Sequence, residues 1–289
     1  MILSQYFVEF IFYSFLGWVW ESIYCTIKEK KWADRGFLFG PVCPIYGTSV
    51  VAASMVFQFN PALSDPDFPI WGIFILCYLG SAVAEFATSW VLEQRFHARW
   101  WDYSNVPLNI QGRICVPVSV GFGVAGVLIV KYLIPIVNDI RMVVPVIVYE
   151  FLALVFAMIF GADFALTEVS LSELLKEVER IHSDFNEKAQ ANYEIISSAP
   201  KVFGSKVKNE VSNLENKVIN EKMSIEEKIG NKRFELSLAY IQNATILQKK
   251  VLGDIQKFTP MKNKTEEQNS LRQQVLDGLK SALYSIKKH

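Results

Sequence analysis

Carboxylates inside apolar segments are the side chains of this chain most able to do chemistry. Glu21, Glu85 and Glu150 each lie within a long apolar stretch. A charged group in hydrocarbon is costly and normally faces the protein interior or a water-filled cavity. Such groups can bind a solute or ion, or they can form ion pairs that hold helices together. Both interpretations, a binding site and a structural polar cluster, fit the sequence.

Two arginines complete this predicted cluster. Glu21 and Glu85 lie six and seven residues from the ends of their segments, roughly 9 and 10 Å along a helix, so they can share one depth. Arg35 and Arg113 stand where the next segments begin and can reach that depth by snorkelling. Glu150 is predicted near the middle of the last segment, either protonated or paired across the bundle.

The loop from Glu93 to Arg113 mixes aromatic, basic and hydrogen-bonding residues. Aromatic rings and cations suit the headgroup layer of a membrane, so the predicted interfacial aromatics are Trp100, Trp101 and Tyr103. Other side chains of the loop are better suited to defined hydrogen bonds, and they join the predicted cluster: Arg99, Asp102, Asn109 and Arg113.

The stretch from Arg35 to Gly47 is rich in glycine and proline where the second apolar segment begins. Proline interrupts helical hydrogen bonding, and non-helical backbone at membrane depth is tolerated only inside protein or beside water. The stretch is therefore either a re-entrant segment that lines a cavity or an ordinary helix start with Pro41 in the first turn.

Catalysis and metal binding are not predicted. Cys25, Cys43 and Cys115 could approach His97 near one membrane face, but their spacing matches no zinc pattern. Only three histidines occur, and no serine or cysteine nucleophile motif is present, which leaves a site built on Glu85, His97 and Asp102 as the weakest alternative. We predict no enzyme, no metal and no cofactor.

Hydropathy supplies the elements that position these residues. Residues 1–163 hold only 9 of the 29 Lys and Arg and 12 of the 29 Asp and Glu. About 20 apolar residues cross a bilayer as a helix. Five segments qualify, which predicts an all-α, polytopic membrane helix bundle over residues 1–166, with spans at about 4–27, 41–59, 70–92, 114–137 and 142–166.

Orientation follows from the basic residues of the short loops. Seven Lys and Arg lie in the loops after the first and third spans, and one, Arg141, lies in the alternate loops. Basic loops stay in the cytoplasm, so the N-terminus is predicted outside and the C-terminus in the cytoplasm. The absence of Lys and Arg before Lys28 argues against a cleaved signal peptide.

Residues 167–289 are predicted to form a cytoplasmic helical or coiled-coil domain. Mixed charges with no long basic tract disfavour nucleic-acid binding. Apolar residues recur at helical spacing, as in a coiled coil that self-associates or binds a partner. This stripe contains Val207, Val211, Leu214, Val218, Ile225 and Ile229, and then Leu236, Tyr240, Leu247, Val251 and Ile255.

Several ordered motifs carry a family resemblance. They are Gly17–Glu21, Asp34–Gly47, Glu85, Trp101–Ser104 and Gly112–Arg113. Over roughly residues 5–150 the chain resembles the putative ABC-transporter type IV family of bacterial membrane proteins, departing from its pattern in having Asp34 where Asn is common. The resemblance implies a transport-type protein of the bacterial cytoplasmic membrane.

An ATPase would have to come from a separate chain, because no Walker A motif is present. The leading hypothesis is therefore a membrane transporter or permease-like component in the lipid bilayer, with a separate ATPase or other protein as partner. The alternative is a membrane-anchored scaffold or sensor that acts through its cytoplasmic coiled coil.

Overall fold

The structure, a computed structural model, describes residues 2–30, 35–65, 67–197, 234–261 and 265–288. In chain order its helices are α1 (Ile2–Glu29), α2 (Pro44–Phe59), α3 (Ile70–Phe96), α4 (Val116–Leu128), α5 (Ile134–Val143), α6 (Val146–Ser197), α7 (residues 234–243), α8 (Ile246–Asp254) and α9 (Glu266–Lys288). Two-residue strands are β1 (Ala98–Arg99), β2 (Asn109–Ile110), β3 (Ile114–Cys115) and β4 (Lys257–Phe258).

The chain divides into two compact units. The first contains residues 1–170 together with the hexapeptide Asp254–Thr259, and the second contains residues 171–253 and 260–289. The predicted boundary after residue 166 lies inside α6, which runs unbroken from Val146 to Ser197.

The membrane character of the first unit is confirmed. Four described stretches are long and apolar enough to cross a bilayer, namely Ile2–Lys28, Ile70–Phe96, Val116–Val143 and Val146–Arg180. Their outer surfaces carry large apolar side chains, such as Val83 and Phe151, which suit a hydrocarbon solvent. The predicted second span forms α2, whose 16 residues are fewer than the ~20 that a helix needs to cross alone.

Helices α1 and α2 lie antiparallel in close contact. The Tyr6 hydroxyl donates to Gln58 Oε1 at 2.8 Å near one end, and the Cys43 N–H donates to the Ser14 carbonyl at 2.9 Å near the other. Gly47 faces the Ser14 hydroxyl and the backbone of α1 with no room for a Cβ atom. A glycine here therefore allows the two helix backbones to approach.

Residues 35–43 enter α2 without helical structure. Asp163 of α6 accepts a hydrogen bond from the Phe39 N–H at 3.0 Å and one from the Gly40 N–H at 2.9 Å. Leu38 beside them is fully buried. A carboxylate from another helix thus satisfies backbone donors that apolar surroundings would leave unpaired.

The ends of α3 and α5 set the positions of several polar residues. His97 follows α3 in the left-handed conformation and turns the chain into β1. Helix α4 continues through a π-helical turn (Ile129–Leu133) into α5, where the Ile134 N–H donates to the Ile129 carbonyl five residues back. This wider turn accommodates Pro135, which has no N–H. The helical stretch therefore ends at Val143, and the predicted loop at 138–141 is wrong.

The described part of the second unit is helical. Its core contains Leu174, Ile241, Leu252 and Leu279, all fully buried. The second half of the predicted stripe is only partly correct, because α7 buries Ile241 while Leu236 remains 39% exposed. The first half, Val207 to Ile229, lies outside the described residues.

Gly47→Ala should destabilise the protein by about 1–3 kcal/mol, because the added methyl group would overlap the Ser14 hydroxyl and the α1 backbone. Gly121→Ala in α4 is the matched control, since a Cβ there meets nothing within 4 Å. The measurement is the free energy of unfolding in detergent. Equal stability of the two variants would contradict the close contact of α1 and α2.

Candidate functional site

A polar group lies in the membrane unit where α1 meets the start of α2. Glu21 of α1 accepts a hydrogen bond from the Tyr46 hydroxyl, and the Cys43 thiol points to its Oε2 at 3.9 Å. Arg35 lies within electrostatic range of the same carboxylate. The Tyr46 ring packs directly on Gly17, where any side chain would displace it. The backbone of α1 therefore positions the tyrosine over Glu21.

Helix α3 carries a second carboxylate into the same region. Glu85, Ser89 and Glu93 are spaced by four residues and so share one face of the helix. The Tyr103 hydroxyl donates to Glu85 Oε1 at 3.4 Å. Burial first, and then the charge of Glu85, raise the pKa of Tyr103 well above its usual value, so the phenol keeps its proton and acts as donor.

Glu85 is 94% buried, and its second oxygen has no hydrogen-bond partner among the described residues. Glu21 is close enough for the two carboxylates to repel each other. Two neighbouring carboxyl groups, one buried and one partly buried, cannot both stay ionised at low cost unless a cation neutralises them; otherwise one of them keeps its proton. The arrangement can therefore take up a positive charge.

Further along α3, Glu93 joins two arginines of the following loop. Arg99 Nε donates to Glu93 Oε2 at 2.8 Å, and Arg113 Nη2 lies 2.9 Å from the same oxygen. Arg113 also donates to Ser89 Oγ at 3.3 Å. The three charged side chains are 7–15% exposed, so they form a mostly buried ion network.

Asp102 extends this network to a distant part of the sequence. Its carboxylate lies 3.8 Å from Arg99 Nη1 and 3.4 Å from Lys257 Nζ. Burial alone would raise the pKa of Asp102, but hydrogen bonds from Ser104 and the charge of Lys257 outweigh it and lower the pKa. Asp102 is therefore a stable anion at neutral pH.

The remaining loop residues shape the backbone. Asn109 Nδ2 donates to the Val106 carbonyl at 2.7 Å, and its Oδ1 accepts from the Gly112 N–H at 3.0 Å. Gly112 adopts φ +68° against the side chains of Asp102 and Ser104. Asn109 thus holds the loop rather than facing Glu85.

Each predicted interfacial aromatic has a partner within the protein. The Trp100 ring lies 5.4 Å from Phe37, and Trp101 Nε1 donates to the Arg113 carbonyl at 2.9 Å. Tyr103 reaches Glu85 as described above. Their role at the headgroups stays a prediction.

The predicted residues therefore form two adjoining groups. In the first group Arg35 and Tyr103 lie beside the carboxyl groups of Glu21 and Glu85, and in the second Arg99, Asp102 and Arg113 join Glu93 in the ion network. Glu150 joins neither in the described contacts. It was expected near mid-span, but α6 begins at Val146, so Glu150 lies in the second turn with its side chain exposed.

Sequence reasoning missed three charged residues. Glu93 was treated as a loop boundary, although its carboxylate forms ion pairs with both Arg99 and Arg113. Asp163, which holds residues 39 and 40, is a carboxylate inside a predicted span and could have been found by that signal alone. Nothing in the sequence near Lys257 indicates its contact with Asp102, which is 155 residues away.

A third polar group lies at the opposite end of α1. Arg141 Nε donates to Glu9 Oε1 at 2.7 Å, and Arg141 Nη2 lies 2.5 Å from the same oxygen as an ion pair. The guanidinium also lies 4.8 Å from the centre of the Tyr6 ring. Glu9 is 3% exposed, so this ion pair joins α1 to α5 inside the bundle.

These features define a helical membrane protein with charged residues buried between its spans. The model of the putative ABC-transporter type IV family matches residues 8–168, and the chain belongs to this family. The match covers α1 from residue 8, α2 to α5, and α6 as far as residue 168, and it includes Glu9, Glu21, Glu85 and the ion network except Lys257. No curated protein and no solved structure matches the chain.

Glu93→Gln should lower the free energy of unfolding by about 2–4 kcal/mol, because Arg99 and Arg113 would lose their shared counter-charge in a mostly buried position. Glu168→Gln is the control, because its pair with Arg95 is 61% exposed on the arginine side and should cost at most about 1 kcal/mol. Unfolding titrations in detergent measure both. Similar losses would show that the network does not hold the loop.

Glu9→Gln should cost about 3 kcal/mol of stability by leaving Arg141 buried without a partner. Arg141→Met should cost a similar amount. The double variant should lose less than the two single losses added together, because neither charge is then left unpaired. A double-mutant cycle in detergent gives the coupling, and strictly additive losses would count against the ion pair.

Proposed function

We propose that this chain is a transport-type membrane component, permease-like, whose polar solute or ion passes the partly buried Glu21 and the buried Glu85. The observation that carries the proposal is Glu85 itself, a carboxyl group 94% buried in an apolar helix with one oxygen unpartnered among the described residues. Intramembrane ionisable groups of this kind commonly mark solute or proton pathways.

The non-helical segment before α2 supports the same proposal. Transporters often bind their solutes where a span is interrupted at membrane depth. Residues 35–43 provide such an interruption, and Cys43 and Tyr46, at its inner end, contact Glu21. Asp163 keeps the interruption in place without entering the carboxylate pair.

We further propose that the chain crosses the membrane five times. Residues 35–59 make the second crossing as a non-helical segment followed by α2, since α2 runs back along α1 to the level of Tyr6. The basic loops then all lie on the face where α1 and α3 end. By the distribution of Lys and Arg this face is cytoplasmic, and the N-terminus is outside the bacterial cell membrane.

Energy for transport would come from a separate ATPase chain, because this sequence has no Walker A motif. The membership in an ABC-transporter family supports this arrangement. The alternative is a membrane-anchored scaffold or sensor that works through a cytoplasmic coiled coil. It is favoured by one observation, the contact of the hexapeptide Asp254–Thr259 with the membrane unit.

Glu85→Gln should reduce solute flux about tenfold or more, because a neutral amide loses the charge-assisted interaction that a carboxylate makes with a passing cation or donor. The purified protein is reconstituted into liposomes, with and without a co-purified ATPase. The liposomes are loaded with a defined mixture of inorganic ions, amino acids and sugars. Efflux is measured by mass spectrometry and ATP hydrolysis by phosphate release.

Glu150→Gln is the matched control, because Glu150 is an exposed intramembrane glutamate outside the described polar groups. It should leave flux unchanged. Absence of flux from the intact protein under every condition would reject transport and favour the scaffold or sensor.

A further inference from the structure

The hexapeptide Asp254–Thr259 binds to the membrane unit as an added β-strand. Within it β4 pairs antiparallel with β1, with Ala98 opposite Phe258 and Arg99 opposite Lys257. The Gln256 N–H donates to the Arg99 carbonyl at 2.7 Å, and the Thr259 N–H donates to the His97 carbonyl at 3.0 Å. Strand addition to an exposed edge is a common mode of peptide recognition.

Side chains anchor this segment as well as its backbone. Ile255 is fully buried, Phe258 is 5% exposed, and Thr259 is 5% exposed. Lys257 points the other way, is 47% exposed, and places its ammonium 3.4 Å from Asp102. The segment is therefore buried at both ends, through Asp254 and Ile255 and through Phe258 and Thr259, and exposes Gln256 and Lys257 between them.

The residues on both sides of the hexapeptide belong to the other unit. Gly253 precedes it in α8, and Pro260 follows it. Proline has no N–H, so the ladder cannot extend beyond Thr259. The pairing is consequently short, with two residues of each strand in the ladder and one backbone hydrogen bond beside it at each end, so the buried side chains Ile255 and Phe258 contribute much of its stability.

We propose that residues 254–259 are a releasable strap through which the C-terminal unit controls the ion network of the membrane unit. When the strap is bound, Lys257 neutralises Asp102, and β1 holds Arg99 beside Glu93 at the end of α3. When a change in the flanking chain withdraws the strap, Asp102 loses this cation, and the loop of residues 97–115 loosens. The proposal rests on these contacts and does not require that the protein transports anything.

Disulfide trapping tests the bound state. Ala98→Cys with Phe258→Cys should form a disulfide when membranes are oxidised, because residues opposite each other in an antiparallel ladder have Cα separations suited to that bond. Ala98→Cys with Lys257→Cys is the control, since a shift of one residue turns the side chain to the other face. The cross-linked peptide is detected by mass spectrometry of a non-reduced digest, which leaves the native cysteines in place.

Release is tested at Gln256 in the full-length protein. Gln256→Pro removes the N–H that donates to Arg99, whereas Gln256→Ala keeps it. The proline variant should increase hydrogen exchange several-fold at the amides of Ser104 and Gly112, which are bonded to Asp102 and Asn109. The alanine variant should exchange like the unaltered protein.

Two outcomes would overturn the proposal. One is equal disulfide yield in the matched and shifted cysteine pairs, which would mean that the strand register is absent. The other is an unchanged exchange rate at Ser104 and Gly112 in Gln256→Pro, which would mean that the strap does not support the loop. If Gln256→Pro fails to fold, the disulfide-trapped protein replaces it, and slower exchange in the trapped form than after reduction is the supporting result.

Discussion

The two hydrogen bonds that Asp163 accepts from Phe39 and Gly40 are the interaction on which the membrane unit depends. A non-helical segment inside a bundle of apolar helices has backbone donors that lipid cannot satisfy. Because α6 supplies a carboxylate for them, the chain can reach the level of Ser14 before α2 begins. That start brings Tyr46 over Gly17 and Cys43 towards Glu21, so the geometry of the carboxylate group follows from a contact on a different helix.

Charge balance separates the structural from the reactive groups. Glu93 faces two arginines, Asp102 faces Arg99 and Lys257, and Glu9 faces Arg141, so each of these anions has a cation in contact. Glu85 has a neutral tyrosine as its hydrogen-bond donor. A further cationic ligand stabilises an anion only slightly when that anion already has a paired cation. It stabilises a buried carboxyl group much more when that group has no cation in contact. Glu85 is therefore the group at which binding would change the protein most.

Much of this organisation could be predicted from the sequence, and the reasons are physical. Long apolar stretches predict the membrane helices, because a helix must be about 20 residues long to cross a bilayer. The spacing from Glu21 and Glu85 to their helix ends indicated that the two residues lie at a common depth. The predicted position of Glu150 was wrong. The π-helical turn at Ile129–Leu133 lets the helix continue past Pro135, so the break between α5 and α6 falls at Val144. A local bulge of this kind has no clear pattern in a single sequence.

Contacts between distant segments were beyond reach for a different reason. Asp163, Arg141 and Lys257 acquire their partners only when helices or strands pack, and their neighbours in sequence do not indicate which partner it will be. The motifs that carry the family resemblance lie within roughly residues 5–150, and Lys257 lies outside that part of the chain. The prediction that the C-terminal stripe is buried was wrong at Leu236. Helical spacing shows which residues share a face of a helix, but not which part of that face another helix will cover.

The pairing of β1 with β4 also orders events during synthesis. Asp102 and Lys257 are 155 residues apart, so the edge of β1 leaves the ribosome long before its partner strand exists. At roughly 5–20 residues per second the interval is about 8 to 30 s. Helices α4, α5 and α6 are made during this interval, so the membrane helices can insert and pack before Asp102 meets its lysine. The nascent protein therefore passes through a stage in which the membrane bundle is assembled and its final strand is still missing.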